Sequence, residues 1–214
     1  MSRKLLLIGG GGHCRSILDV ILSMGEFNEI GIVERKGAQT NEVLGIPVVG
    51  FDEDLHKLHA HGFTDAFIAL GSIGNTTGRE KLFKIALDEG FLIPNIVSPS
   101  AIISKNITLG RGIFIGNNAI INVGAKIDDC VIINTGAIIE HDCAIGSFTH
   151  IAPGVVLSGG VSVGQRTHIG AGSVIKQSVC IGQNAMIGMG SVVLDSIVDS
   201  TLAYGNPCKV IRKL

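Results

Sequence analysis

One feature constrains this chain more than any other. From Val97 onward an aliphatic residue returns at every sixth position without a break. The series runs Val97, Ile103, Leu109, Ile115, Ile121, Ile127, Ile133, Ile139, Ile145, Ile151, Leu157, Val163, Ile169, Ile175, Ile181, Ile187 and Val193, seventeen hexads in all. The residue after it is often glycine (Gly110, Gly116, Gly146, Gly164, Gly170, Gly182, Gly188). The fourth residue after it is small or β-branched, as at Ala119, Ala125, Val131, Ala137, Thr149, Val155, Thr167, Ser173, Ala185 and Ser191. A short, unbroken period of this kind marks a solenoid, in which each unit buries its apolar side only by stacking on its neighbours. Each hexad reads as a short strand and a turn, with the aliphatic residue inward. The coils are expected to stack at the ~4.8 Å spacing of hydrogen-bonded strands. The expected architecture is therefore a parallel β-helix with an Ile and Val ladder inside.

Composition agrees. Aromatics make up 4% and Trp is absent, while Gly is abundant at 30 residues, so a core of large aromatic side chains is excluded. Apolar residues reach 46% and the net charge is -1, which excludes a disordered chain. No apolar run approaches the ~20 residues that span a bilayer. Near-zero net charge gives no electrostatic basis for binding nucleic acid or a membrane surface. The apolar start Leu5–Ile8 is too short for a signal-peptide core. The five cysteines (Cys14, Cys130, Cys143, Cys180, Cys208) are odd in number and widely spaced, as in a reduced, cytoplasmic protein.

Before residue 95 the pattern is different. Six of the eight Phe residues lie there. Strands are predicted at Lys4–Ile8, Ile30–Glu34 and Asp65–Leu70, and helices at Ser16–Met24 and Gly78–Glu89. A further helix carries Leu55, Leu58 and His59, with Asp52 as its expected cap. This βαβαβ order implies a small Rossmann-like α/β domain over 1–95, an all-β parallel β-helix over 96–199 and a tail over 200–214.

Two places attract attention as sites. Gly9-Gly10-Gly11-Gly12-His13 follows the first strand and opens a helix, where backbone N–H groups favour an anion. Glu34 lies about twenty residues on, at the end of the second strand, where a ribose-binding acid would sit. Gly71, Ser72 and Asn75 follow the third strand and are expected to border the same pocket. The other place is Glu140-His141-Asp142, a cluster of ionisable groups in a nearly uncharged repeat. Imidazole titrates near neutral pH, so His141 is the candidate general base. Either Asp142 or Glu140 would orient it. His150 and His168 are eighteen residues apart, one above the other on one corner of a three-hexad coil.

These motifs together resemble the left-handed β-helix (hexapeptide-repeat) acetyltransferases, in the branch containing nucleotide-sugar N-acetyltransferases and sialic acid O-acetyltransferases. The tail Gly205-Asn206-Pro207-Cys208-Lys209 resembles the ending of many members that use acetyl-CoA. The resemblance implies left-handed coils of three hexads, although right-handed crossovers are the general rule. It implies a homotrimer with active sites between subunits, working in polysaccharide or glycan biosynthesis. The implied substrates are acetyl-CoA and a nucleotide-linked amino sugar of the UDP-4-amino-4,6-dideoxy type, with no metal. The glycine loop (Gly10, Gly11, Gly12), His13, Glu34, Gly71, Ser72 and Asn75 would hold the nucleotide sugar; the branch often has Asp where this chain has Glu34. His150, Gly159, Gly160, Ala171, Gly188 and Pro207 would contact coenzyme A, with the Gly159 N–H as an oxyanion donor. His141 would deprotonate the acceptor for direct attack on the thioester, and Cys143 would point into the coil and take no part. The alternatives are sialic acid O-acetylation on the same fold, a zinc enzyme like the γ-class carbonic anhydrases, and a non-catalytic sugar-nucleotide-binding scaffold.

Overall fold

Leu5, Leu6, Leu7 and Ile8 are all fully buried, which only a central strand covered on both faces allows. The computed structural model describes residues 3–214; Met1 and Ser2 lie outside the described residues. The chain divides into two units: the chain up to Ser72 together with Thr77–Ile96, and Ile73–Thr76 together with Val97–Leu214.

In the first unit β1 (Lys4–Ile8) leads through α1 (Gly12–Met24) to β2 (Glu29–Glu34). There follow β3 (Glu42–Val43), β4 (Ile46–Phe51), α2 (Leu55–Ala60), β5 (Asp65–Ile68) and α3 (Thr77–Asp88). The sheet order is β3-β4-β2-β1-β5, with β4, β2, β1 and β5 parallel and β3 antiparallel to β4. The β3–β4 hairpin is absent from the predicted order. β3 has only two residues, and Pro47 and Gly50 interrupt the apolar run of β4. α1 begins four residues before the predicted start, because Gly12 opens it without a side-chain cap at Gly11. Asp52 is not a cap. It starts a 3-10 turn (Asp52–Asp54), and Asp54 instead accepts the Phe51 N–H at 3.1 Å.

In the second unit seventeen two-residue strands run from Ile96–Val97 to Val192–Val193, each ending on a hexad aliphatic residue. Every third strand pairs in parallel, so three sheets form the faces of a left-handed β-helix. Ile133, for example, lies in register between Ile115 and Ile151, and all three are fully buried. Burial of each such side chain is worth ~1.5–3 kcal/mol, and the ladder repeats it coil after coil.

The turns obey a second rule. The third residue after each aliphatic position is left-handed, from Gly112 through Gly190. Gly fills about half of these places; Asn118, Cys130, Asp142, Phe148, Arg166, Ser178 and Asn184 fill the rest. A left-handed non-glycine residue costs ~1–2 kcal/mol, which the coil supports by stacking. The glycine just after the aliphatic residue has a different cause. A Cβ on Gly146 would lie 2.6 Å from the Gln165 backbone nitrogen in the coil above, so a side chain there would pry the coils apart.

Buried hydroxyls are satisfied across coils. Thr149, Thr167 and Ser173 donate to the carbonyls of Gly164, Gly182 and Gly188 at 2.9, 2.7 and 3.1 Å. After the last coil Thr201–Gly205 and Cys208–Lys213 form an antiparallel hairpin that extends one sheet, and Pro207 sits in its turn.

Candidate active site

The His141 side chain stands at a coil corner and is 58% exposed. Its Nδ1 lies 2.9 Å from an Asp142 carboxylate oxygen. A carboxylate at Nδ1 holds the ring hydrogen on that nitrogen and leaves the Nε2 lone pair open to accept a proton, the form a general base needs. Asp142 occupies the left-handed turn position, with φ 60°. That backbone turns its side chain back along the corner to the ring. Glu140 makes no hydrogen bond to His141, so the geometry pairs the histidine with Asp142.

Two glycines make room for this pair. Residues eighteen apart stack, so Gly124 lies one coil below Asp142 and Gly159 one coil above His141. A Cβ on Gly159 would lie 2.6 Å from His141 Cε1 and would also strike Nε2. A Cβ on Gly124 would strike an Asp142 carboxylate oxygen. Gly160 N–H donates to the His141 carbonyl at 2.8 Å, which fixes the backbone beneath the ring. The Gly159 N–H has no hydrogen-bond partner among the described residues and stays available to a ligand. Gly124 was invisible as a site residue in the sequence, where it reads as another turn glycine. Its signal is the eighteen-residue offset from Asp142.

Cys143 is fully buried and its thiol donates to the Ser158 carbonyl at 3.3 Å. This is the cross-coil bond that Thr149 and Thr167 make, so Cys143 serves as an inner-face residue. Burial pushes its thiol above the ordinary range, which removes nucleophilic thiolate.

His150 and His168 occupy adjacent strands on one flat face. They are not at a corner, because each directly precedes an aliphatic strand residue. Their rings meet edge to face with centroids 4.9 Å apart. His150 Nε2 lies 3.3 Å from the Asn134 side-chain amide. His168 is only 9% exposed, and its Nδ1 is buried with no hydrogen-bond partner among the described residues. Burial holds its pKa below the usual imidazole value. A depressed histidine pKa adds stability that is full above the unfolded-state value near 6.5 and is lost as pH falls toward the folded-state value. The melting temperature is expected to hold down to about pH 6.5 and to drop as pH is lowered below it. A His168→Gln variant is expected to lose most of that slope in a pH series of thermal melts.

The remaining donor-side candidates divide. Ala171 is exposed at a corner. Gly188 has a packing role: a Cβ there would lie 2.7 Å from Tyr204 Cβ of the hairpin. Among the described residues no group of three or more His, Cys, Asp or Glu side chains is placed to hold a metal ion. No helix of the described residues is long and apolar enough to cross a membrane.

In the α/β unit the carboxyl ends of β1, β2, β4 and β5 open into a cavity of about 640 Å³, within the range of small-molecule sites. Gly10, Gly11 and Glu34 line it, with Asp52 and Lys81. α1 presents the uncapped N–H groups of its first turn beside the glycine loop, and no acidic residue stands in that turn. Gly12 and Arg15 line a smaller adjoining hollow. Glu34 does not reach freely into the cavity. Its Oε1 accepts the Gly10 N–H at 2.9 Å and its Oε2 the Arg35 N–H at 3.2 Å, so the carboxylate fastens the loop. Burial, with Glu34 nearby, pushes the Cys14 thiol at the start of α1 up to about 12. His13 and Gly71 pack together, since a Cβ on Gly71 would lie 3.3 Å from His13 Cβ. Ser72 accepts from Arg79 at 3.3 Å. His13, Gly71 and Ser72 are not among the residues lining the cavity, and Asn75 belongs to the coil unit.

Residues 4–86 match the PglD N-terminal domain family, and residues 160–195 match the bacterial transferase hexapeptide (six repeats) family. A variant of perosamine N-acetyltransferase from Caulobacter crescentus, solved with CoA and GDP-perosamine, is 38% identical with a TM-score of 0.92, over 98% of this chain and 97% of that one. The chain belongs to the hexapeptide-repeat acetyltransferases of the nucleotide-sugar branch. The acetyltransferase domain of PglB from Neisseria gonorrhoeae, solved with acetyl coenzyme A, is 32% identical over 99% of this chain and 100% of that one, with a TM-score of 0.91. WeeI from Acinetobacter baumannii, at 18% identity and a TM-score of 0.71 over 98% of this chain and 100% of that one, shares the fold. As a member of this family the protein is an acyltransferase.

Proposed function

We propose that the enzyme transfers an acetyl group from acetyl-CoA to the amine of a nucleotide-linked amino sugar. The observation that carries this reading is the exposed His141–Asp142 pair, 2.9 Å apart, between Gly124 and Gly159. A base with an unprotonated Nε2 suits proton removal from an attacking amine. The amine nitrogen attacks the thioester carbonyl as Nε2 takes its proton. The Gly159 N–H donates to the oxyanion that forms. The C–S bond then breaks, the thiolate leaves with a proton, and the products are an amide and free coenzyme A. Asp142 stabilises the imidazolium while it exists. Buried Cys143 has no place in the sequence of steps, in keeping with direct transfer.

The α1 N-terminus and the Gly10–Gly12 loop take the diphosphate, where uncapped N–H groups and the helix dipole favour negative charge. The relative solved with both CoA and GDP-perosamine supports this pairing of substrates. Family resemblance supports a homotrimer with sites between subunits. So do Val123, Val174 and Leu194, large apolar residues left 50%, 41% and 45% exposed along the coils.

The test is a panel of nucleotide-linked amino sugars, matching nucleotide hydroxy sugars and free sialic acid, assayed for coenzyme A release. Release is expected with an amino sugar only. Release with sialic acid and none with any amine would overturn the assignment, and light scattering checks the trimer.

A further inference from the structure

We propose that Asp52 reads the nucleobase of the bound nucleotide sugar and selects guanine over uracil. This rests on the nucleotide-sugar reading above. Asp52 lines the cavity at the carboxyl end of β4. Its carboxylate has no hydrogen-bond partner among the described residues. Both oxygens of Glu34, the other carboxylate of the cavity, are engaged by backbone N–H groups. Asp52 is thus the cavity carboxylate with neither oxygen engaged by the described residues.

Strand order says which part of the ligand it meets. The sheet runs β4-β2-β1, and neighbouring strands are ~4.8 Å apart. The diphosphate belongs at the end of β1, on the N-terminus of α1. Ribose then falls at the end of β2, beside Glu34. The end of β4 is a further strand away, about 10 Å from the phosphate loop by the same spacing, which is the reach of a nucleobase. Phosphate itself would be repelled by Asp52.

A carboxylate only accepts hydrogen bonds, and its two oxygens take a parallel pair of donors best. Guanine presents such a pair, N1–H and the N2 amino group side by side. Uracil presents one N–H between two carbonyls, so the second carboxylate oxygen would face an acceptor. Burial in the cavity and the Glu34 charge push the Asp52 carboxyl above the ordinary range, with Lys81 opposing. A carboxylate held at this disadvantage gains when a ligand supplies donors.

The test is calorimetric titration of the full chain with GDP, UDP and inosine diphosphate, repeated for Asp52→Asn. GDP is expected to bind roughly tenfold or more tightly than UDP, the scale of one bidentate contact. Inosine diphosphate lacks the N2 amino group and is expected to fall toward UDP. Asp52→Asn is expected to remove most of the GDP advantage and leave UDP affinity nearly unchanged. UDP binding as tightly as GDP would overturn the proposal. So would equal losses for GDP and UDP in the variant, which would place Asp52 on the ribose. If no diphosphate binds at all, the nucleotide-sugar reading of the cavity fails and this proposal falls with it. Inosine diphosphate binding as tightly as GDP would also overturn the proposal, and that outcome needs no substitution.

Discussion

His141→Ala is expected to lower turnover ~10²–10⁴-fold, the usual contribution of a positioned general base. The loss should fall on kcat, with KM for acetyl-CoA little changed, because the ring is expected to act on the reacting proton more than on donor binding. Steady-state coenzyme A release, at saturating levels of both substrates, measures it. The variant should fold normally, since the side chain is 58% exposed and fills no core space. Near-normal turnover would remove His141 from the chemistry. Gly159→Ala is the companion test. It leaves the imidazole present but places a Cβ 2.6 Å from its Cε1, so the ring must leave its position over the corner. It is expected to cost much of the same activity with melting behaviour close to the parent. If it instead left the rate unchanged, the ring position seen here would not be the working one.

Ile151→Ala is expected to cost ~2–5 kcal/mol of stability, the range for removing a large buried aliphatic group and leaving a cavity. Ile151 is fully exposed to its neighbours and not at all to solvent, in register between Ile133 and Ile169. A coil cannot collapse to fill the gap, because its strands are held on both sides by hydrogen bonds to the coils above and below. At about 2–4 °C per kcal/mol for a chain of this size, the melting temperature should fall by roughly 5–20 °C. Ile102→Ala, at a strand position 65% exposed, should shift it far less. Equal shifts for the two would mean that the inner ladder does not carry the stability of the coils.

The second unit was legible because its sequence period equals its structural period. An aliphatic residue every sixth position has one way to be buried, and the inward Ile series, the two-residue strands and the inner place of Cys143 follow from it. The left-handed turn positions were harder to see. Glycine occupies only about half of them, and Cys130 or Arg166 gives no hint of a positive φ. In the α/β unit the helices and the long strands carry clear periodicity. The β3–β4 hairpin does not, and Asp52 and Asp54 are equally good caps on paper. The same indifference hid Asp52 as a cavity residue, and nothing in the residue types shows that Glu34 also fastens the glycine loop.

The sequence by itself determined that the chain makes a coil of stacked hexads, where its interior lies, and that Glu140-His141-Asp142 is unusual in so uncharged a repeat. Those conclusions need only the residue types and their spacing. Only the tertiary structure decided that Asp142 and not Glu140 holds the His141 ring, and that Gly124 and Gly159 make the space for the pair. The first contact joins neighbours across a left-handed turn and the others join residues eighteen apart, and direction within a turn is a property of the backbone that residue spacing does not carry.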